Sequence, residues 1–260
     1  MKTLSIHLEK GGVGKSSITT QVAFELSKLG KKTLIVDGDK QGHATAFFTE
    51  TFDGEYSLVN YLKKKYNLDD SIYEVRENLF ILGTKLNSDE LSRWISNDAS
   101  SNPFAWQNLK KDAEELGFDF VLFDLPPTIN DEYIAWILAS CNEIIPIIEP
   151  EDLAMDSFAN YKEILKKIKL SFNGQFSEIE KIVINKEDTE IKIHKHWVDR
   201  ILCMPGLKAE FIYRIKKTTT IPNSKAMQML LSEYSASSKI TKEVQRLAKD
   251  LIVNKEENNG

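Results

Sequence analysis

Lys10-Gly11-Gly12-Val13-Gly14-Lys15-Ser16-Ser17 follows a short apolar run, Leu4 to Leu8, and opens a helical pattern. Three glycines in the four positions from Gly11 to Gly14 let the backbone curl until successive N–H groups point inward at one anion. Lys15 adds a point charge for the outer phosphates of a nucleotide, and Ser16 supplies a hydroxyl for Mg2+; Val13 and Ser17 complete the nucleotide-binding stretch. A helix that starts here aims its positive end at the same phosphates. Strand, glycine loop, Lys-Ser and helix in this order read as a site for ATP and Mg2+ rather than as a flexible turn. Where the pattern G-x-x-x-x-G-K-[ST] has its first glycine, this chain has Glu9, and a second lysine, Lys10, follows.

The chain has 260 residues, a net charge of −5 and 42% hydrophobic residues, enough for a substantial core and with no overall basic excess. Cys141 and Cys203 are isolated, 62 residues apart and without metal-ligand spacing, which suits a reducing cytoplasm. His7, Glu9 and Lys10 interrupt any leader-like apolar stretch, and no run approaches the roughly 18 apolar residues of a membrane span. The expectation is a soluble cytoplasmic protein.

Short β-branched runs alternate with helix-period segments. Candidate strands are Leu4–Leu8, Thr33–Val36, Leu79–Leu82, Phe118–Phe123, Glu143–Ile148, Lys181–Ile184 and Phe211–Ile215. Candidate helices are Ser16–Leu29, Phe104–Leu116, Leu153–Leu170, Ile191–Leu202 and Ile240–Val253. Such alternation predicts an α/β fold, a mostly parallel twisted sheet with helices on both faces, in a single domain over residues 1–260. Ligands bind such sheets at the carboxyl ends of strands, where the glycine loop falls. Thr49 to Asn102 carries the weakest pattern: an amphipathic stretch at Leu58, Tyr61 and Leu62, one strand, and a polar tract from Ser96 to Asn102 that reads as a loop.

Phosphoryl chemistry needs acids at neighbouring strand ends. Thr33-Leu34-Ile35-Val36-Asp37-Gly38-Asp39 runs an apolar strand into two carboxylates, and Phe120-Val121-Leu122-Phe123-Asp124 ends another in one. Burial would hold Asp124 rigid as a Mg2+ ligand, directly or through water. Pro126 and Pro127 stiffen the backbone that follows.

The form K-G-G-x-G-K-[ST] resembles the deviant Walker A loop of the ParA/MinD/Soj ATPases, shared with the nitrogenase iron protein and ArsA. Asp37-Gly38-Asp39-Lys40-Gln41-Gly42-His43-Ala44-Thr45 resembles the first switch segment of ParA proteins, and Asp124-Leu125-Pro126-Pro127 the second, which by this resemblance senses whether the terminal phosphate is present. Cys141 to Glu151 with Leu153-Ala154 is similar to a further family segment, in which Cys141 takes a small-residue packing position. By this resemblance Lys10 reaches across a dimer interface to the nucleotide of the other subunit, Asp39 positions the attacking water, Asp37 supports the metal and Asn185 meets adenine. The chain departs from the family at Lys40 and at Lys216, where relatives carry proline. It matches the short, Soj-like form without an N-terminal helix-turn-helix extension.

Between Glu190 and Lys225 eight basic residues face three acidic ones. Together with the resemblance, this predicts nonspecific DNA contact through Arg200, Arg214, Lys216 and Lys217 and association with the nucleoid; a solvated helix face is the plain alternative. His194 and His196 are too sparse for a metal site. The last helix carries Ile240, Val244, Leu247, Ala248, Leu251 and Ile252 on one face. This stripe matches core docking better than membrane binding, because the tail Glu256-Glu257-Asn258-Asn259-Gly260 is acidic. The resemblance implies an ATP-bound homodimer that hydrolyses ATP slowly until stimulated by a ParB-like adaptor. The competing readings are a MinD-like membrane-associated positioning ATPase and a ParA relative that moves a cargo other than DNA. Three other members of the same lineage lack support: a metabolic ligase would not carry the early lysine, a tyrosine kinase would end in a tyrosine cluster that this tail lacks, and an iron–sulfur reductase would need paired cysteines, whereas Cys141 and Cys203 lie in other contexts.

Overall fold

The computed structural model describes the chain except positions 50, 103, 130, 152–153, 172–178, 205 and 254–260, and side chains at 154–157 and 169. The first half runs β1 (Lys2–Ile6), α1 (Lys15–Lys28), β2 (Thr33–Asp37), α2 (His43–Phe48), α3 (Leu58–Leu62), α4 (Leu68–Ser71), β3 (Ile72–Arg76), β4 (Leu79–Leu82), α5 (Asp89–Asn97), α6 (Ala105–Glu115) and β5 (Phe120–Asp124). The second half runs α7 (Glu132–Ser140), β6 (Glu143–Ile145), β7 (Ile147–Ile148), α8 (Ala154–Ser171), β8 (Ile182–Glu187), α9 (Lys192–Leu202), β9 (Ile212–Lys216), α10 (Thr220–Ala226), α11 (Leu231–Ser235) and α12 (Lys239–Ile252).

Six strands pair in the order β3-β4-β2-β5-β1-β6 and three in the order β7-β8-β9. All pairings are parallel except β3 with β4. β2 and β5 are buried along their whole length, which is why both read as unbroken apolar runs: helices cover both faces of a parallel sheet. The predicted strand Glu143–Ile148 is two strands. Pro146 has no N–H to give the ladder, so β6 pairs with β1 before it and β7 pairs with β8 after it. Its carbonyl still accepts from the Val183 N–H at 2.8 Å, which keeps the two sheets in line.

Two further expectations change. The tract Ser96 to Asn102 is not a loop: Ser96 and Asn97 finish α5, and Ala99–Ser101 forms a 3-10 turn. Ser88 starts α5 by accepting the Leu91 N–H, a capping signal in a stretch where little else was legible. Strand β3 escaped notice because IYEVR is a half-exposed edge; it carries a bulge between Glu74 and Arg76, and Arg76 pairs with Glu233 at 2.8 Å. Leu153 and the acidic tail from Glu256 lie outside the described residues.

The apolar stripe of α12 is buried, with Val244, Leu247, Ala248 and Leu251 packed against α1 and β9. Ser238 caps this helix by accepting the Thr241 N–H. Among the described residues no helix is long and apolar enough to cross a membrane. Leu247→Ala should therefore lower unfolding free energy by about 2–5 kcal/mol, read from denaturant midpoints.

One polar residue is built into the middle of the core. His7, directly after β1, is fully buried between the Tyr161 hydroxyl at 2.8 Å and the Pro126 carbonyl at 2.9 Å. Burial pushes its imidazole down from the usual 6.5 to about 3, against the pull of its bond to Pro126. The folded protein thus keeps His7 neutral where the unfolded chain takes up a proton. Stability from this group is complete above about pH 6.5 and is lost as pH falls toward about 3. Urea midpoints should decline from pH 7 to pH 5 in the wild type, and by less in His7→Gln.

Candidate nucleotide site

The strand order β2-β5-β1 gathers three carboxyl-terminal strand ends at one place. Asp37 and Asp124 are register partners on adjacent parallel strands, and the glycine loop leaves the neighbouring β1. The loop turns on Gly14, whose φ of 97° lies in the left-handed region. A Cβ there would stand 2.5 Å from Asn185 Nδ2, so only glycine lets β8 approach. Asn185 uses that access to donate to the Val13 carbonyl at 2.7 Å, while its buried Oδ1 has no hydrogen-bond partner.

Lys15 opens α1 and folds back so that its ammonium donates to the Lys10 carbonyl at 2.7 Å, inside the curl of the loop. Burial pulls its pKa down, and Asp124 and Asp39 pull it up. Asp124 is fully buried. Ser16 lies near enough to favour its ionised form, yet neither carboxylate oxygen has a partner of hydrogen-bond geometry. Burial raises the affinity of Asp124 for a proton, and Asp39 adds to it. A buried carboxylate with two orphaned oxygens beside a serine hydroxyl is a donor set suited to a hard cation such as Mg2+.

Asp37 is held differently. Its Oδ2 accepts the Thr45 N–H at 2.8 Å and the Thr45 hydroxyl at 2.7 Å, and Thr84 donates to the Asp37 carbonyl. Burial and the adjacent Asp124 push its pKa well up. These bonds tie the first turn of α2 to β2, a supporting role. Asp39 is nearly buried and accepts the Gln41 N–H through Oδ1 at 2.9 Å. Gly42, at φ 65°, comes so close to the Thr84 carbonyl that a Cβ would meet it at 2.6 Å, which fixes the path of this segment.

The half-exposed Lys10 ammonium pairs with Glu151 at 2.6 Å. Lys186 was invisible to motif reading. It sits at a left-handed φ of 54°, donates to the Gly12 carbonyl at 2.6 Å and pairs with Glu149 at 2.5 Å. Glu149 and Glu151 stood in a quoted motif without an assigned partner, and His7 appeared only as a break in an apolar run. No local pattern marks such contacts, because each joins segments distant in sequence.

The structure thus brings Lys10, Gly11 to Ser17, Asp39, Asp124 and Asn185 together. Arg200, Arg214, Lys216 and Lys217 lie elsewhere, on α9 and at the end of β9, and all are exposed. Arg214 is already paired: its guanidinium makes two bonds to the buried Glu187, and its N–H donates to Glu243 at 2.9 Å. Arg200 stacks on Trp197 at 5.1 Å. His194 accepts the Asp188 N–H as a local cap. A cleft of about 710 Å³ lined by Tyr61, Lys65, Asn102 and Asp112 shares no residue with the phosphate loop.

Comparison with known proteins agrees with this geometry. A family model described as an AAA domain matches residues 1–178. An uncharacterized protein of Borreliella burgdorferi is 26% identical over 254 residues, covering 97% of this chain and all of the relative. The chromosome-partitioning ATPase Soj of Treponema pallidum is 23% identical, covering 96% of this chain and 97% of its own. The fold matches the crystal structure of a plasmid partition protein, so described provisionally, from Borrelia burgdorferi B31 bound to AMPPNP. There the TM-score is 0.78 at 19% identity, over 96% of this chain and 98% of that one. The family model over residues 1–178 and the similarity of sequence and fold along nearly the whole chain, together with a Gly-rich loop carrying two lysines near a buried Asp124 on a parallel sheet, place the chain in the ParA/MinD superfamily of P-loop ATPases.

Proposed function

We propose that this protein is an ATP hydrolase, one ATPase unit over residues 1–260, that dimerises on ATP and binds DNA without sequence preference. With a ParB-like adaptor it segregates or positions plasmid or chromosomal DNA in the cytoplasm, on the nucleoid. The observation that carries the reading is the orphaned Asp124 carboxylate beneath Lys15 and Ser16.

Backbone N–H groups from Gly11 to Ser17 bind the phosphates, and Lys15 exchanges the Lys10 carbonyl for the outer ones. Ser16 and Asp124 would hold Mg2+, which when bound neutralises charge on the transferring phosphate. Asp39, set by the Gln41 N–H, orients the attacking water. Asn185 offers a donor and an acceptor to a purine edge. Lys10 leaves Glu151 and crosses to the nucleotide of the partner subunit, so that nucleotide and dimer form together. Lys15→Ala should lower ATPase activity by at least about tenfold. Lys10→Ala should keep ATP binding by the monomer and lose the dimer, measured by equilibrium dialysis and size-exclusion chromatography. ATP-dependent dimers formed by Lys10→Ala would overturn the role given to that lysine.

For DNA, Arg200, Lys216 and Lys217 form no ion pair among the described residues, whereas Arg214 must share its charge with Glu187. The similarity to a chromosome-partitioning Soj supports this partner. Binding to random-sequence DNA should need a nonhydrolysable ATP analogue, fail with ADP and weaken with salt. Lys216→Glu and Lys217→Glu should each lower the salt slope by about one. ATP-dependent dimers that ignore DNA, or that sediment with anionic vesicles instead, would refute it.

A further inference from the structure

His7 is buried to the last atom in a stretch whose neighbours Ile6 and Leu8 are apolar, and the phosphate chemistry makes no use of it. Its two hydrogen bonds fix its tautomer. The Pro126 carbonyl can only accept, so Nε2 bears the proton and donates at 2.9 Å. Nδ1 is then bare and accepts from the Tyr161 hydroxyl of α8 at 2.8 Å. The donors run one way, from Tyr161 through His7 to the segment that follows Asp124.

That segment is short of handles. Pro126 and Pro127 have no N–H, so only their carbonyls can be gripped from the backbone. At its Asp124 end the carbonyl accepts from the Gly38 N–H at 2.8 Å; two residues on, the grip belongs to His7. On the far side of the imidazole, α8 begins at Ala154, within a few residues in sequence of Glu149 and Glu151, the partners of Lys186 and Lys10. It packs along α7 and α9, and α9 carries Arg200. A leucine would fill the same space without the cost of desolvating a polar ring.

We propose that His7 is a positioning residue which, with Tyr161, couples the Asp124–Thr128 segment to helix α8, so that a shift of the Pro126 carbonyl on nucleotide exchange is passed to α8 and α9. This rests on the reading above, in which that segment senses the terminal phosphate. A neutral imidazole with one fixed donor and one fixed acceptor acts as a rigid spacer: when the carbonyl moves, either the ring follows and pulls Tyr161, or a buried donor is left unpaired.

Hydrogen exchange across residues 154–171, with ADP and with a nonhydrolysable ATP analogue, reads this coupling directly. Wild type and His7→Gln, whose amide offers the same donor and acceptor, should show a nucleotide-dependent change in α8. His7→Phe and Tyr161→Phe should lose that change. Both should lower kcat about five- to tenfold with KM for ATP unaltered. Tyr161→Phe removes a single oxygen, so it carries the test if His7→Phe does not fold. A wild-type response in Tyr161→Phe, or failure of His7→Gln to restore what His7→Phe loses, would overturn the coupling. An ATP-binding, dimerising wild type whose α8 ignores the nucleotide would overturn it alone, while a wild type that binds no ATP overturns it together with the function proposed above.

Discussion

Asp37 and Asp124 stand side by side at the ends of two adjacent strands, both without solvent access. Two carboxylates in that position repel each other and cannot both ionise in a low-dielectric site without cations nearby. Around this constraint the rest is arranged. Thr45 and Thr84 brace β2 and the start of α2, and Lys15 brings a positive charge from the first turn of α1. The glycine loop places backbone N–H groups above. Buried carboxylates beside a lysine and a loop of N–H groups form a site whose chemistry suits a metal-bound polyphosphate.

Strand order makes this possible. Because β5 inserts between β2 and β1, two segments far apart in sequence deliver Asp37 and Asp124 to one spot beside the loop. α1 leaves the loop and is covered by α12, so the last helix of the fold stabilises the first. α12 is held to it by Val244, Leu247 and Leu251 rather than by charge. The half-exposed edge β3 contributes nothing to the site, and its bulge and the Arg76–Glu233 pair serve to close that side of the sheet.

Much of this was legible because it is written in contiguous residues. Gly11 to Ser17 announces a phosphate loop, and apolar runs ending in Asp37 and Asp124 announce buried strands with an acid at the tip. The strand break at Pro146 was in principle readable from the missing N–H, but the apolar pattern on either side ran straight through it. What stayed hidden depends on meetings across the chain. Nothing near Lys186 in sequence reveals that it grips Gly12, nor does anything near Arg214 reveal that Glu187 waits beneath it. His7 interrupts an apolar run, and only the arrival of Tyr161 and Pro126 explains why a core would hold an imidazole. Between Thr49 and Asn102 short helices and an edge strand are set by packing more than by periodicity.

The consecutive residues Asn185 and Lys186 hold consecutive carbonyls, those of Val13 and Gly12. The same strand is laddered to β9 at Ile182–Ile212, Val183–Tyr213 and Ile184–Arg214. In mechanical terms this is a load path. A pull on the basic end of β9 would travel through ladder hydrogen bonds into β8 and from there through two side chains into the phosphate loop, across the irregular step of the ladder between Ile184 and Glu187. Strain at that end of β9 and the shape of the loop that holds Val13 and Gly12 are therefore mechanically linked.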